Sequence, residues 1–306
     1  MKNIKQSILI ILFAIVLVRC DSPIHQKSDK MVINNTELFY KTMGEGEPLL
    51  VIHGGPGLNH QYLVEGLIPL AKDYQLIFYD QRGCGASSKS LDSTSISLDL
   101  FITDIEALRV EFKIDKFNLL AHSWGGLLAM KYAMKYPENV NSLILSNSVG
   151  ASTEIDKKAS ALLAERFSEA DNAKRMKIFQ SEAFQNKEIS SIESLMKLGF
   201  KQQFHNTDLI DSLKLSLNSD YMITNQLLQY LGGDLASYDF HKELKKITAS
   251  TLLLYGSFDP LLNFSGKKLD ESIPDSKLVV IDKSGHFPFI EQKKRFNKEV
   301  SAFLEK

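Results

Sequence analysis

Two cysteines, Cys20 and Cys84, are all that the 306 residues contain. If Cys20 is lipidated, no intramolecular disulfide is possible, so stability must come from a buried core. With 44% hydrophobic residues, the chain has ample material for one. Charge of one sign is equally scarce: 36 Lys and Arg stand against 37 Asp and Glu, a formal net charge of −1. That leaves no basic surface, no segment reads as a nucleic-acid module, and nucleic acid is excluded as a partner. Internal repeats, low-complexity tracts and clusters of metal ligands are also missing, and no metal or organic cofactor is expected.

Nor is the N-terminal apolar run long. Ile8 to Val18 is 11 residues, far below the ~20 that span a bilayer. Lys2 and Lys5 precede it and Arg19-Cys20 ends it, the n-region and h-region of a signal peptide. Leu17, Val18 and the position of Cys20 resemble a bacterial lipoprotein signal, although Arg19 stands where a small residue is usual. Residues 1–20 are therefore expected to be a signal of lipoprotein type, with Cys20 lipidated and residues 21–30 a polar tether. Such a protein is exported and anchored in a bacterial cell envelope; an ordinary signal would leave it periplasmic or secreted. Cleavage before Cys20 removes Lys2, Lys5 and Arg19, three positive charges, and takes the net charge from −1 to −4.

From residue 31 the pattern changes to short strands: Met31–Ile33, a turn at Asn34-Asn35, Leu38–Tyr40 and Pro48–Ile52. The formal sequon Asn34-Asn35-Thr36 is read as that turn. A helix is predicted over His60–Tyr74 and a strand over Gln75–Tyr79. Next come a helix capped by Ser97 or Asp99 and running to Phe112, a strand Phe117–Ala121, a helix Trp124–Tyr136 stopped by Pro137, and a strand Val140–Val149. Strands alternating with helices demand crossover connections, hence a mostly parallel sheet with helices on both faces. The rhythm stops at Gly150. Residues 151–247 show amphipathic stretches, Ala159–Phe167, Ala173–Phe184, Ile192–Phe200 and Tyr221–Leu231, and no strand pattern, so they are expected to form a helical insertion. Core strands resume at Thr251–Tyr255 and Lys277–Ile281, and a helix closes the chain over Pro288–Leu304. The core is thus 31–150 with 248–306, and the cap 151–247.

Within this frame, Leu119-Leu120-Ala121-His122-Ser123-Trp124-Gly125-Gly126 runs from a strand through a sharp turn into a helix, with a serine at the turn. A serine nucleophile needs a base to take its proton and an acid to orient that base. Asp259 follows one late core strand and His286 the next, and both fall at the sheet edge that carries Ser123. Taken singly, Ser123 reads as a helix cap, Asp259 as an Asp-Pro turn residue and His286 as a loop histidine; together they make a catalytic set. His53-Gly54-Gly55-Pro56-Gly57 follows another core strand, and its backbone can approach a substrate closely. The N–H groups of Gly55 and Trp124 are the expected oxyanion donors. A phosphate loop is excluded because no Gly-Lys-Ser/Thr follows.

His53-Gly54-Gly55-Pro56-Gly57-Leu58-Asn59-His60-Gln61-Tyr62-Leu63, Asp80-Gln81-Arg82-Gly83-Cys84-Gly85 and Ser123-Trp124-Gly125-Gly126 together resemble the proline iminopeptidase branch of the α/β-hydrolases, including the tricorn-interacting aminopeptidases. The chain order Ser, Asp, His is the order of that superfamily. The resemblance implies an α/β-hydrolase fold with a helical cap and a triad of Ser123, Asp259 and His286. It also implies a structural loop at Asp80 and Arg82, and a packed rather than reactive Cys84. Two departures stand out. Ala121 replaces the glycine usual two residues before the serine. No cap motif identifies the carboxylates with which such aminopeptidases hold a substrate's amino group, leaving Glu154, Glu165, Glu169, Glu182, Glu193, Asp208, Asp211 and Asp220 open; most acids on amphipathic helices are solvated. Phe167, Phe179, Phe184, Phe200, Phe204, Met176 and Met196 are available to line a pocket, with core packing the default.

The expected function is a serine hydrolase that releases N-terminal residues from small peptides through an acyl-enzyme. The alternatives are a carboxylic ester or lactone hydrolase of the same fold and a non-catalytic binding lipoprotein.

Overall fold

A computed structural model describes residues 24–305. The expectations for residues 1–20, including lipidation of Cys20, and for the first three tether residues, 21–23, lie outside the described residues. Among the described residues, no helix is long and apolar enough to cross a membrane.

Eight strands form one sheet: β1 Gln26–Ile33, β2 Thr36–Met43, β3 Glu47–Ile52, β4 Tyr74–Tyr79, β5 Phe117–His122, β6 Val140–Ser146, β7 Ser250–Gly256 and β8 Ser276–Ile281, in the order β1-β2-β4-β3-β5-β6-β7-β8. β1 and β2 are antiparallel, as is β2 with β4; β4-β3-β5-β6-β7-β8 run parallel. The carboxyl ends of all six parallel strands therefore meet at one edge. The hairpin turn is Asn34-Asn35, both with positive φ (46° and 61°), which asparagine tolerates and a two-residue hairpin requires.

Period-two alternation splits each central strand between two cores. Leu50, Ile52, Leu119, Ala121, Leu253 and Tyr255 face one side, while Leu49, Val51, Leu120, Leu252 and Leu254 face the other. Helix α1 (Gln61–Leu67) covers the second side, whereas α2 (Leu98–Glu111) and α3 (Trp124–Lys135) cover the first. The Ser97 hydroxyl caps α2 by accepting from Leu100 N–H at 3.3 Å, and Phe101, Ile105 and Leu108 bury its inner face.

The insertion contains α4 Thr153–Glu165, α5 Glu169–Gln180, α6 Glu182–Gln185, α7 Ile189–Lys201, α8 Tyr221–Leu228 and α9 Gly232–Ala236. It joins the core at a narrow neck, where Ser152 and Asp239 form an isolated bridge and Phe240 N–H donates to Ala151 O at 2.9 Å. After β7 come α10 Lys267–Ser272, α11 Pro288–Glu291 and α12 Lys293–Leu304.

Several expected boundaries shift. The tether is shorter than 21–30, because residues 26–30 belong to β1 and pair with β2 from Gln26 to Met43 onward. As the edge strand, β1 is exposed over its first five residues and carries no apolar alternation to read. The helix expected over His60–Tyr74 is α1 followed by a 3₁₀ turn, Ile68–Lys72, since Pro69 removes a donor. The strand expected to reach Val149 ends at Ser146, because Asn147 turns the chain with φ 46°. The closing helix breaks at Gln292.

Candidate active site

Each parallel strand delivers one polar residue or loop to the common edge: β3 the His53–Gly57 loop, β4 Asp80–Gly85, β5 Ser123, β6 Asn147, β7 Asp259 and β8 His286. Ser123 occupies the N-cap position of α3 with φ 55° and ψ −122°, a conformation that costs a non-glycine residue roughly 1–3 kcal/mol. It is held there by its N–H donating to Ser146 O (3.0 Å) and by its carbonyl accepting from Gly126 N–H (2.9 Å). The side chain is half-buried. Its Cβ lies against the glycine loop: a Cβ placed on Gly54 would come within 3.0 Å of it.

Ala121, which stands where a glycine is usual, is accommodated. Its methyl is fully buried in the core between Ile52 and Leu145, its partners on the flanking strands. The tight positions lie after the serine instead, where a Cβ on Gly126 would stand 2.0 Å from Ser148 Oγ.

Asp259 and His286 are both buried, 3% and 6% exposed. His286 Nδ1 lies 2.7 Å from Asp259 Oδ2. The same oxygen accepts from Asn147 Nδ2 at 2.6 Å, and Oδ1 accepts from Leu261 N–H at 2.9 Å. Three donors thus fix the position of this buried carboxylate. Asn147, which sequence reasoning missed, also donates to Gly285 O at 3.2 Å and so ties the aspartate loop to the histidine loop.

His122 packs on His286, ring centroids 4.8 Å apart, and its Nε2 lies 2.9 Å from the His286 carbonyl. Since His122 is covalently next to Ser123, this contact sets Ser123 beside the histidine loop.

The glycine loop is braced from β4. His53 Nε2 accepts from Gln81 N–H at 3.1 Å, which leaves Nδ1 protonated to donate to Gly54 O at 2.8 Å. Burial lowers the His53 pKa from its ordinary 6.5 to about 4 and keeps the ring neutral. Gln81 Nε2 donates to His53 O at 2.8 Å, and its Oε1 accepts the indole N–H of Trp124 at 3.0 Å. The side chain next to the serine therefore steadies the loop that holds Gly55.

Asp80 and Arg82 do build the neighbouring loop. Asp80 accepts from His60 Nδ1 (2.7 Å), His60 N–H (2.9 Å) and Ala86 N–H (2.8 Å). Burial pushes its pKa up, but the His60 bond and charge outweigh that and hold the carboxyl below its usual range. Arg82 forks onto Asp104 through Nε (2.8 Å) and Nη2 (2.6 Å), an ion pair only 1% exposed. Cys84 is fully buried, and burial pushes its thiol up to about 12, so it is packed and unreactive at neutral pH.

A cavity of about 350 Å³ opens beside Gly55 and Trp124. Pro56, Val149 and Leu235 give it apolar walls, while Thr153, Asp156, Lys157 and Ser160 line it from one face of α4, with Tyr238 bonded alongside to Thr153 and Asp156. None of the eight cap acids named from sequence reaches it. Glu154 pairs with Lys158, Asp211 with Lys197 and Asp220 with Lys89, while Glu193 accepts Leu217 N–H. Glu165, Glu169, Glu182 and Asp208 are exposed. The acid that does reach the cavity, Asp156, accepts from Gly150 N–H at 2.8 Å and from the Tyr238 hydroxyl. Burial raises its pKa against these two bonds. None of the seven cap phenylalanines and methionines named from sequence lines the cavity either. Phe200 and Phe204 instead pack on Phe287, beside His286, and Phe179 packs on Phe184.

Residues 47–293 match the model of the alpha/beta hydrolase fold family. The chain belongs to that family, and by class it is a serine hydrolase. Its relatives point to one branch: the proline iminopeptidase of Heyndrickxia coagulans is 29% identical over 274 residues, 85% of this chain and 91% of that protein. That of Clostridioides difficile is 28% identical over 284 residues, 90% and 96%. The crystal structure of the Mycobacterium smegmatis proline iminopeptidase superposes with a TM-score of 0.68 at 21% identity, covering 91% of this chain and 98% of that one.

Proposed function

We propose that the chain is an aminopeptidase of proline iminopeptidase type that works through an acyl-enzyme on Ser123. The observation that carries this reading is the buried Asp259–His286 hydrogen bond at the sheet edge that holds Ser123 in its strained turn. With Nδ1–H given to Asp259, Nε2 of His286 is the free base that takes the Ser123 proton as Oγ attacks the scissile carbonyl. The oxyanion that forms is met by the backbone N–H groups of Gly55 and Trp124, the latter at the N-terminus of α3 where the helix dipole favours negative charge. His286 then passes the proton to the leaving amine, and a water activated by the same ring releases the acyl group. Asp259 orients the ring and stabilises its charged form without taking the proton.

Amide rather than ester substrates are favoured by the names of the relatives and by the polar α4 wall of the cavity. Asp156 is the cap carboxylate suited to meet a free amino group there. Pro-, Ala- and Leu-β-naphthylamide, assayed beside p-nitrophenyl acetate and butyrate, test the reading. Turnover of a naphthylamide is expected, with loss of turnover when the amine is acetylated; hydrolysis of the esters alone rejects the peptidase and leaves an esterase or lactonase. We also propose, from Lys2, Lys5, the Ile8–Val18 run and Cys20, that the mature protein is a lipoprotein. Mass spectrometry of its N-terminus should find a diacylated Cys20, and an unmodified residue at another cleavage point rejects the proposal.

A further inference from the structure

A buried chain of three hydrogen bonds joins the glycine loop to the histidine loop. Gly54 N–H lies 2.7 Å from the Tyr62 hydroxyl, that hydroxyl 2.8 Å from His122 Nδ1, and His122 Nε2 2.9 Å from the carbonyl of His286. A single arrangement of protons with a neutral His122 satisfies all three. The carbonyl only accepts, so Nε2 carries the hydrogen; the other nitrogen of a neutral ring then accepts, so the Tyr62 O–H points at Nδ1; the hydroxyl's lone pair is left for Gly54 N–H. Burial, and then the proximity of His286, drives the His122 pKa well below its ordinary value, so the ring stays neutral and its tautomer stays fixed. Tyr62 is likewise buried, with Phe287 and Phe289 packed around the pair.

The ends of this chain fall at informative places. Gly54 precedes Gly55, the oxyanion donor, and the His286 carbonyl belongs to the base itself. We propose that Tyr62 and His122 are positioning residues that hold the oxyanion donor and the general base in one register about the scissile carbonyl. This rests on the assignment of Ser123, Asp259 and His286 as the triad. Ring packing alone would hold the same groups in place without the hydrogen bonds, and this is the alternative to be tested. Tyr62→Phe keeps the ring and deletes the first two links, those to Gly54 N–H and to His122 Nδ1. Glutamine at 122 can accept from Tyr62 through its carbonyl and donate to His286 O through its amide, whereas phenylalanine at 122 can do neither.

The experiment measures kcat and KM for the best substrate, together with thermal melting, for Y62F, H122Q, H122F, Y62F/H122F and S123A. If the chain sets register, Y62F and H122F each lower kcat about 10–100-fold with KM within about 3-fold, as displacements near 1 Å do. H122Q is expected to recover to within about 5-fold of wild type, and the double variant to be no slower than the slower single one, because one broken link breaks the chain. Y62F with wild-type kcat, or losses that multiply in the double variant, overturns the proposal; Y62F and H122Q carry the test should H122F not fold. Residual turnover by S123A at the wild-type rate would instead reject the triad reading, so the two failures are distinguishable.

Discussion

On the core side of the cavity, Gly55 in its loop and Trp124 at the start of α3 are surrounded by polar side chains, Gln81, His53, Tyr62 and His122, that each have identified hydrogen-bond partners. On the cap side, Thr153, Asp156, Lys157 and Ser160 come from one helix face, spaced i, i+3, i+4 and i+7; Thr153 and Asp156 are tied to Tyr238, Leu235 and Gly150, while Lys157 and Ser160 are exposed. The first arrangement is stiff because each part is set by a strand end and tied to the next. The second is bonded at one end and open at the other, where Lys157 and Ser160 can change without disturbing the fold beneath. Reactivity and selectivity are thus assigned to regions with different tolerance of mutation.

Five substitutions and one titration would break or sharpen that contrast. Ser123→Ala, on the core side, should lower kcat by about 10⁴–10⁶-fold with the melting temperature little changed. Acid should destabilise the core through His53. Its folded pKa lies near 4 and its unfolded value at 6.5, so the unfolded chain binds the proton first as pH falls. Between these limits about 3 kcal/mol is lost, seen as a falling urea midpoint, and His53→Gln should flatten the slope. Asn147→Ala removes one of the three donors to Asp259 and should reduce kcat/KM about 10-fold, with larger effects on kcat than on KM. On the cap side, Asp156→Asn should raise KM about 5-fold for free-amine substrates and leave p-nitrophenyl acetate hydrolysis unchanged, a single solvent-screened charge contact being worth about 1 kcal/mol. Glu165→Gln, at an exposed cap position, should alter neither constant by more than about 2-fold. A larger loss at Glu165 than at Asp156 would reverse the assignment of the α4 face.

The same contrast explains what could be read from the chain. Buried parallel strands announce themselves as apolar runs, and turn residues just past them mark the site edge, so Ser123, Asp259, His286 and the Gly55 loop were legible. Partners separated by long stretches of sequence were not. Tyr62 and His122 are 60 residues apart and Asn147 and Asp259 are 112 apart, and nothing local distinguishes them from core residues. β1 was half invisible because an edge strand has no face to bury. In the cap, acids outnumber the one that reaches the cavity, and helical spacing alone does not say which face turns inward.

The contact between cap and histidine loop bears on how caps can be exchanged. His286 N–H donates to Gln203 O at 2.8 Å, and a Cβ on Gly285 would stand 1.9 Å from that same oxygen. Asn206 N–H and Gly285 N–H share the Glu291 carboxylate, at 2.9 and 2.6 Å. Residues 203–206 belong to the insertion by sequence and to the histidine loop by bonding. A chimera that swaps the whole insertion would import a foreign backbone against His286, whereas one that retains this short segment would exchange selectivity alone.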